Sequence, residues 1–140
     1  MKYIFVCAPF TPDDEHSSQE HVLMAEQYGA FVHSLGRGYC PIVPHLMLPP
    51  TMGFNDSIEE HCKIGSILCY DMITNMHSVE LWVFGDVRSN GMNRDIRIAK
   101  QFGKPVNQQH FGKSPHDLLG GRYVKFDDHI IDPDSITVVY

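Results

Sequence analysis

The sequence predicts an α/β protein, a three-layer doubly wound parallel sheet of about five strands. Two observations lead there. Short β-prone apolar runs alternate with longer segments whose apolar residues recur every three or four positions. The first run, Lys2 to Ala8 (KYIFVCA), is apolar without alternation, as a strand buried on both faces must be.

Pro9 ends that strand, because proline cannot donate to a ladder. A polar loop, TPDDEHSSQE, follows as a ligand cover or a solvated connection. From about Ser18 to Leu35, Val22, Ala25, Tyr28, Phe31, Val32 and Leu35 repeat at helical spacing. Ser17 or Ser18 suits its start, and Gly36 and Gly38 its stop. Pro41 to His45 reads as a short second strand confined by its prolines, which completes a βαβ unit. His45 then falls at the strand's C-terminal end, the edge where open α/β sheets bind ligands. The loop MLPPTMGFND carries Leu48, Met52 and Phe54, as a lid or a subunit contact would.

Ile58 to Met76 is the second long helix, with Asp56 or Ser57 as its cap and Glu59 and Glu60 in its first turn. Cys62 and Cys69 share a face and read as core filler. Leu81 to Phe84 is a buried strand, Gly85 to Gly91 a polar turn, and Ser89 the cap of a third helix. Met92, Ile96, Ala99 and Phe102 form that helix's buried stripe, and Asp95 lies on or beside it. An inward acid near a helix start at a strand end is a candidate nucleophile or base. Burial would raise its pKa and the helix N-terminus would favour the anion. Asp86, in the turn, is a spare second acid or an exposed loop residue. Gly103 to Val106 closes the helix and opens a fourth strand. The tail from Gln108, with a turn at Gly120-Gly121 and a β-prone end at Ile136 to Tyr140, supplies a fifth strand or an arm.

The composition bounds the partners. A chain of 140 residues with 43% hydrophobic and 20% charged residues suits one soluble domain, residues 1–140. A net charge of -6 argues against a nucleic acid polymer. No run of ~18 apolar residues suggests a membrane span, and MKYIFVCAPF is too soon interrupted by Pro9 to read as a signal peptide. Cys7, Cys40, Cys62 and Cys69 form no CxxC pair and read as reduced thiols in a cytoplasm. Nine histidines raise a metal site built on His16, His21, His33 and His45, but zinc spacings such as HExxH are absent. No metal or other cofactor is expected.

Four motifs in order, an N-terminal APF turn, a GxxPIxPHL-like segment, SNGMNRDIRIA after WVFG, and GKPV, resemble the nucleoside 2-deoxyribosyltransferase-like proteins over roughly residues 2 to 107. The nearest group is their small bacterial and phage branch. The resemblance implies a flavodoxin-like or Rossmann-like fold and cleavage of N-glycosidic bonds in nucleosides or nucleotides. It implies a carboxylate that attacks the anomeric carbon, with water or a second base completing hydrolysis or transfer. Asp95 matches the nucleophile and Glu80 the acid before the WVFG strand. Ala8, Pro9 and Phe10 match the loop bordering sugar and base. Ser89 matches a substrate contact, and Gly85, Gly91 and Met92 belong to the turn that faces the sugar or phosphate. A homodimer or higher homo-oligomer is implied, because the family completes its site from a neighbouring subunit. The chain departs from the family in three places: Asp for Glu at 95, Glu at 80, and His21 for the usual Asn. A non-catalytic binder of a nucleotide or an ADP-ribose-like ligand is the alternative reading.

Overall fold

A computed structural model describes residues 1–10, 14, 16–85, 88–111 and 125–131, the last strand and residues 110–111 by backbone alone. Five strands form one sheet: β1 (Lys2–Cys7), β2 (Tyr39–Ile42), β3 (Val79–Phe84), β4 (Val106–Phe111) and β5 (Lys125–Ile131). Their order is β2-β1-β3-β4-β5. The first four are parallel, with Phe5 opposite Ile42 and Leu81, and Cys7 opposite Val83. β5 runs antiparallel to β4. The expected three-layer flavodoxin-like or Rossmann-like sheet is therefore present, with four parallel strands and an antiparallel fifth. Ile136 to Tyr140 and the Gly120-Gly121 turn lie outside the described residues, as do Asp86 and most of the loop after Pro9.

The non-alternating apolar run of β1 has its reason in the two cores. Ile4, Val6 and Ala8 pack with Phe84 against Met24, Ala25, Tyr28, Phe31 and Val32 of α1 (Ser18–Ser34). Phe5 and Cys7 pack with Leu81 and Val83 on the other face, against Ile73 of α3 (Glu59–Asn75) and Met92, Ile96 and Ala99 of α4 (Asn90–Gln101). A strand between two helical layers must be apolar on both sides.

Helix starts follow their caps. Ser17 and Glu20 form a reciprocal capping box at α1. Pro44 opens the one-turn helix α2 (Pro44–Met47), so β2 stops at Ile42 and His45 stands on a helix instead of a strand. Proline at the first helical position loses no needed N–H, which is why this Pro starts a helix where a strand end was expected. Neither Asp56 nor Ser57 caps α3. The cap position is Ile58, without a side-chain bond, because Asn55 Oδ1 instead accepts from the N–H and hydroxyl of Ser57. Phe102, expected in the core, lies beyond α4 and is exposed. No helix among the described residues is long and apolar enough to cross a membrane.

Candidate active site

The strand order reverses direction between β1 and β3, so the loops leaving their C-terminal ends splay apart and open a crevice. A cavity of about 250 Å³ occupies it. Cys7, Ala8 and Phe10 line it from the end of β1, Pro44 and His45 from the segment after β2, and Ser89, Gly91, Met92 and Asp95 from the start of α4. Seven of the residues expected at the site, Ala8, Phe10, His45, Ser89, Gly91, Met92 and Asp95, thus meet at one place. Pro9 contributes through its carbonyl, 2.8 Å from His45 Nε2. Leu48 and Phe54 of the expected lid also line the cavity, while Met52 of the same loop is exposed.

Two expected residues do not join them. Gly85 follows β3 with φ 87°, a conformation that suits glycine, and its carbonyl accepts from the Gln108 side-chain amide at 2.9 Å. Its part is to turn the chain toward α4. Glu80 is the larger correction. As the second residue of β3 it sits about 13 Å down the strand from Phe84, toward the opposite edge of the sheet. There it accepts from Trp82 Nε1 (3.3 Å) and Asn107 Nδ2 (3.0 Å) and pairs with Lys2 Nζ (2.6 Å), tying β1, β3 and β4. That contact raises the Lys2 pKa. Glu80 is therefore a strand tie that cannot share a substrate with Asp95.

Ser89 sets the start of α4. Its hydroxyl accepts from Met92 N–H at 3.2 Å, and its own N–H reaches Met92 Sδ at 3.5 Å, a capping box in which a thioether replaces the usual carboxylate. Asp95 is the sixth residue of that helix, past the first turn where the dipole acts. It is only 7% exposed. Burial wins and lifts its carboxyl to about 6, against the opposing pull of the Arg94 guanidinium, whose Nη2 lies 3.4 Å from Oδ1.

Arg94 was not legible as a site residue, since adjacent helical residues do not face each other. Its long side chain folds back to Asp95 and donates to Ser66 Oγ, joining α4 to α3 across the cavity wall. Of the two cysteines expected in the core, Cys69 is half-buried and packs against the cluster around Phe5 and Ile73, whereas Cys62 is exposed; both also line the cavity. Burial pushes Cys69 up to about 12, helped by the nearby Asp95, and raises Cys62 and Cys7 as well. The thiolate is the reactive form, so at neutral pH these thiols are poor nucleophiles.

His45 is buried, and desolvation takes its ring down to about 4, so it is neutral at pH 7. The His16 and His21 rings lie 5.5 Å apart, but among the described residues no group of three or more His, Cys, Asp or Glu could hold a metal ion. The cavity can therefore offer a buried carboxylate near its titration point, a guanidinium beside it, a neutral imidazole and apolar walls from Phe10, Phe54 and Met92.

A family profile described as a domain of unknown function (DUF7768) matches residues 2–109. No curated protein matches the chain.

Proposed function

The chain belongs to the DUF7768 family, and from its site we propose that it cleaves the N-glycosidic bond of a small nucleoside or nucleotide, or transfers the deoxyribosyl group, with Asp95 as nucleophile. One observation carries this reading: a buried carboxylate, ionised at pH 7 but close to its pKa of about 6, lines a ligand-sized crevice at the sheet's switch point. A cavity of about 250 Å³ falls just below the usual ~300–1,000 Å³ of small-molecule pockets, which favours one nucleoside over a dinucleotide.

The Asp95 carboxylate attacks the anomeric carbon. The bond to the base breaks, its electrons leave with the base, and a glycosyl ester forms on Asp95. Water then attacks the same carbon, the ester bond to Asp95 breaks and restores the carboxylate, and the proton that water releases balances the one taken up by the departed base. In transfer a second base attacks instead and gives up its N–H proton. Arg94 holds Asp95 in place and favours its anion. At the start of α4 the Met92 N–H is taken by Ser89 Oγ, so the backbone by Gly91 is the part that suits a sugar oxygen or phosphate.

The test is base release from a panel of nucleosides and 5′-nucleotides, wild type against Asp95→Ala. Release by the wild type alone supports the reading, and no release, or equal release by both, defeats it. The alternative, a protein that binds a nucleotide or an ADP-ribose-like ligand without cleaving it, is favoured by one fact. The acid expected to assist Asp95, Glu80, is engaged at the other edge of the sheet. Binding with the ligand recovered intact would establish it.

Self-association belongs to the same proposal. Met52, Ile64, Ile67 and Tyr70 are exposed along the α2–α3 connection and α3, beside the cavity. Sedimentation of a monomer at all concentrations would exclude it.

A further inference from the structure

We propose that His45 selects its ligand through Nδ1, which accepts a hydrogen bond from an N–H or O–H group that the ligand must carry. This rests on reading the cavity as a nucleoside or nucleotide site, but not on whether the glycosidic bond is cleaved.

The ring is committed on one side. Nε2 lies 2.8 Å from the Pro9 carbonyl, and a carbonyl only accepts, so Nε2 carries the proton. Burial keeps the ring neutral at pH 7, so Nδ1 is bare. It is also buried, without a hydrogen-bond partner among the described residues. His45 as a whole residue is 7% exposed and lines the cavity. Its orientation is fixed twice over, by the Pro9 bond and by edge-on packing against Phe10, with ring centres 5.3 Å apart. A rigid, buried acceptor with nothing to accept is a rare arrangement in a folded protein, and a ligand donor completes it. Selectivity then follows from the cost of leaving it unpaired: an analogue that lacks the donor, or presents an acceptor there, binds less well.

Two parts of a nucleoside have the required chemistry, the exocyclic amine of the base and a sugar hydroxyl. Calorimetric titration of the wild-type protein separates them, with each ligand tried as nucleoside and as 5′-monophosphate. Cytidine against uridine and adenosine against inosine exchange an amine for an oxo group at constant sugar. Ribo against 2′-deoxy and 3′-deoxy forms remove one hydroxyl at constant base.

One of these exchanges is expected to weaken binding about tenfold, equivalent to about 1.4 kcal/mol. In His45→Phe the paired ligands should bind equally. Nitrogen-15 NMR of the wild type, which needs no variant to fold, should show the Nδ1 resonance of His45 moving on binding while Nε2 stays protonated. Sensitivity to the amine places the base at His45, and sensitivity to a hydroxyl places the sugar there. Binding without discrimination and without movement of the Nδ1 resonance overturns the proposal. Failure of every nucleoside and nucleotide to bind overturns it together with the nucleoside reading of the cavity. Binding with the Nδ1 signature but no base release overturns cleavage alone and leaves His45 in its role.

Discussion

Asp95 weakens the fold that holds it. Its carboxyl titrates at about 6 in the folded chain against an ordinary value of 3.8. The folded state therefore binds the proton more tightly than the unfolded state. The stability this lends is fully present below pH 3.8 and is lost as pH rises through about 6. A shift of that size corresponds to at most about 3 kcal/mol at pH 7. Asp95→Asn keeps the shape and removes the charge, so it should melt with wild type near pH 3.5 and above it at pH 7.5, as thermal scans at the two values would record. Equal melting temperatures at both would mean that the carboxylate is well solvated. If Asp95 is the nucleophile, base release by the wild type should also fall about tenfold per pH unit below 6. Glu80 makes the contrast at the same scale. Glu80→Gln should cost about 1–2 kcal/mol in urea unfolding, because a half-buried acid loses charge-assisted bonds, yet should leave base release unchanged. Loss of activity in a stable Glu80→Gln protein would return Glu80 to the chemistry.

The element that sets the site is α4, and its cap is open to test. Ser89→Ala removes the hydroxyl that Met92 N–H donates to, and should cost about 1 kcal/mol of stability, read as a lower urea midpoint at unchanged slope. α4 was also the most legible element: Ser89 at its start, Met92, Ile96 and Ala99 buried, and Asp95 inward are all found as its spacing predicts. β1 was equally legible, because a run buried on both faces has no polar position to blur it. Legibility failed where tertiary contacts override local pattern. Pro44 reads as a strand end but starts α2, which moves His45 onto a helix. α3 is apolar around much of its surface, so periodicity does not say which face looks inward: Cys69 packs on the core as expected, but Cys62 is exposed. Arg94 carried no signal at all, since its pairing with Asp95 and Ser66 depends on how α3 and α4 meet. Glu80 was placed by resemblance, and the register of β3 with β1 sets it near the wrong edge.

For the whole molecule, what matters is that three separate stretches meet at the cavity: the end of β1, the α2–α3 region, and the start of α4. α3 is the loosest of the neighbouring helices, with Ile73 its one buried residue, and it is tied to α4 near the site through Ser66 and Arg94. A ligand seated there bridges parts of the fold that otherwise share few bonds, so its binding should register as global stability and not as a local change. At 100 times its Kd, a ligand that binds only the folded state adds about 2.7 kcal/mol. For a domain of this size that is about 8–10 °C in melting temperature. Scans with nucleosides, 5′-nucleotides, free bases and ribose 5-phosphate would therefore find the ligand class before any activity is known. A shift given by an intact nucleotide that survives the incubation identifies a binder. With an enzyme the nucleotide is consumed during incubation, and Asp95→Ala should show the larger and more persistent shift, since it holds a substrate that it cannot turn over. No shift with any of the four classes would remove the nucleoside reading from the cavity altogether.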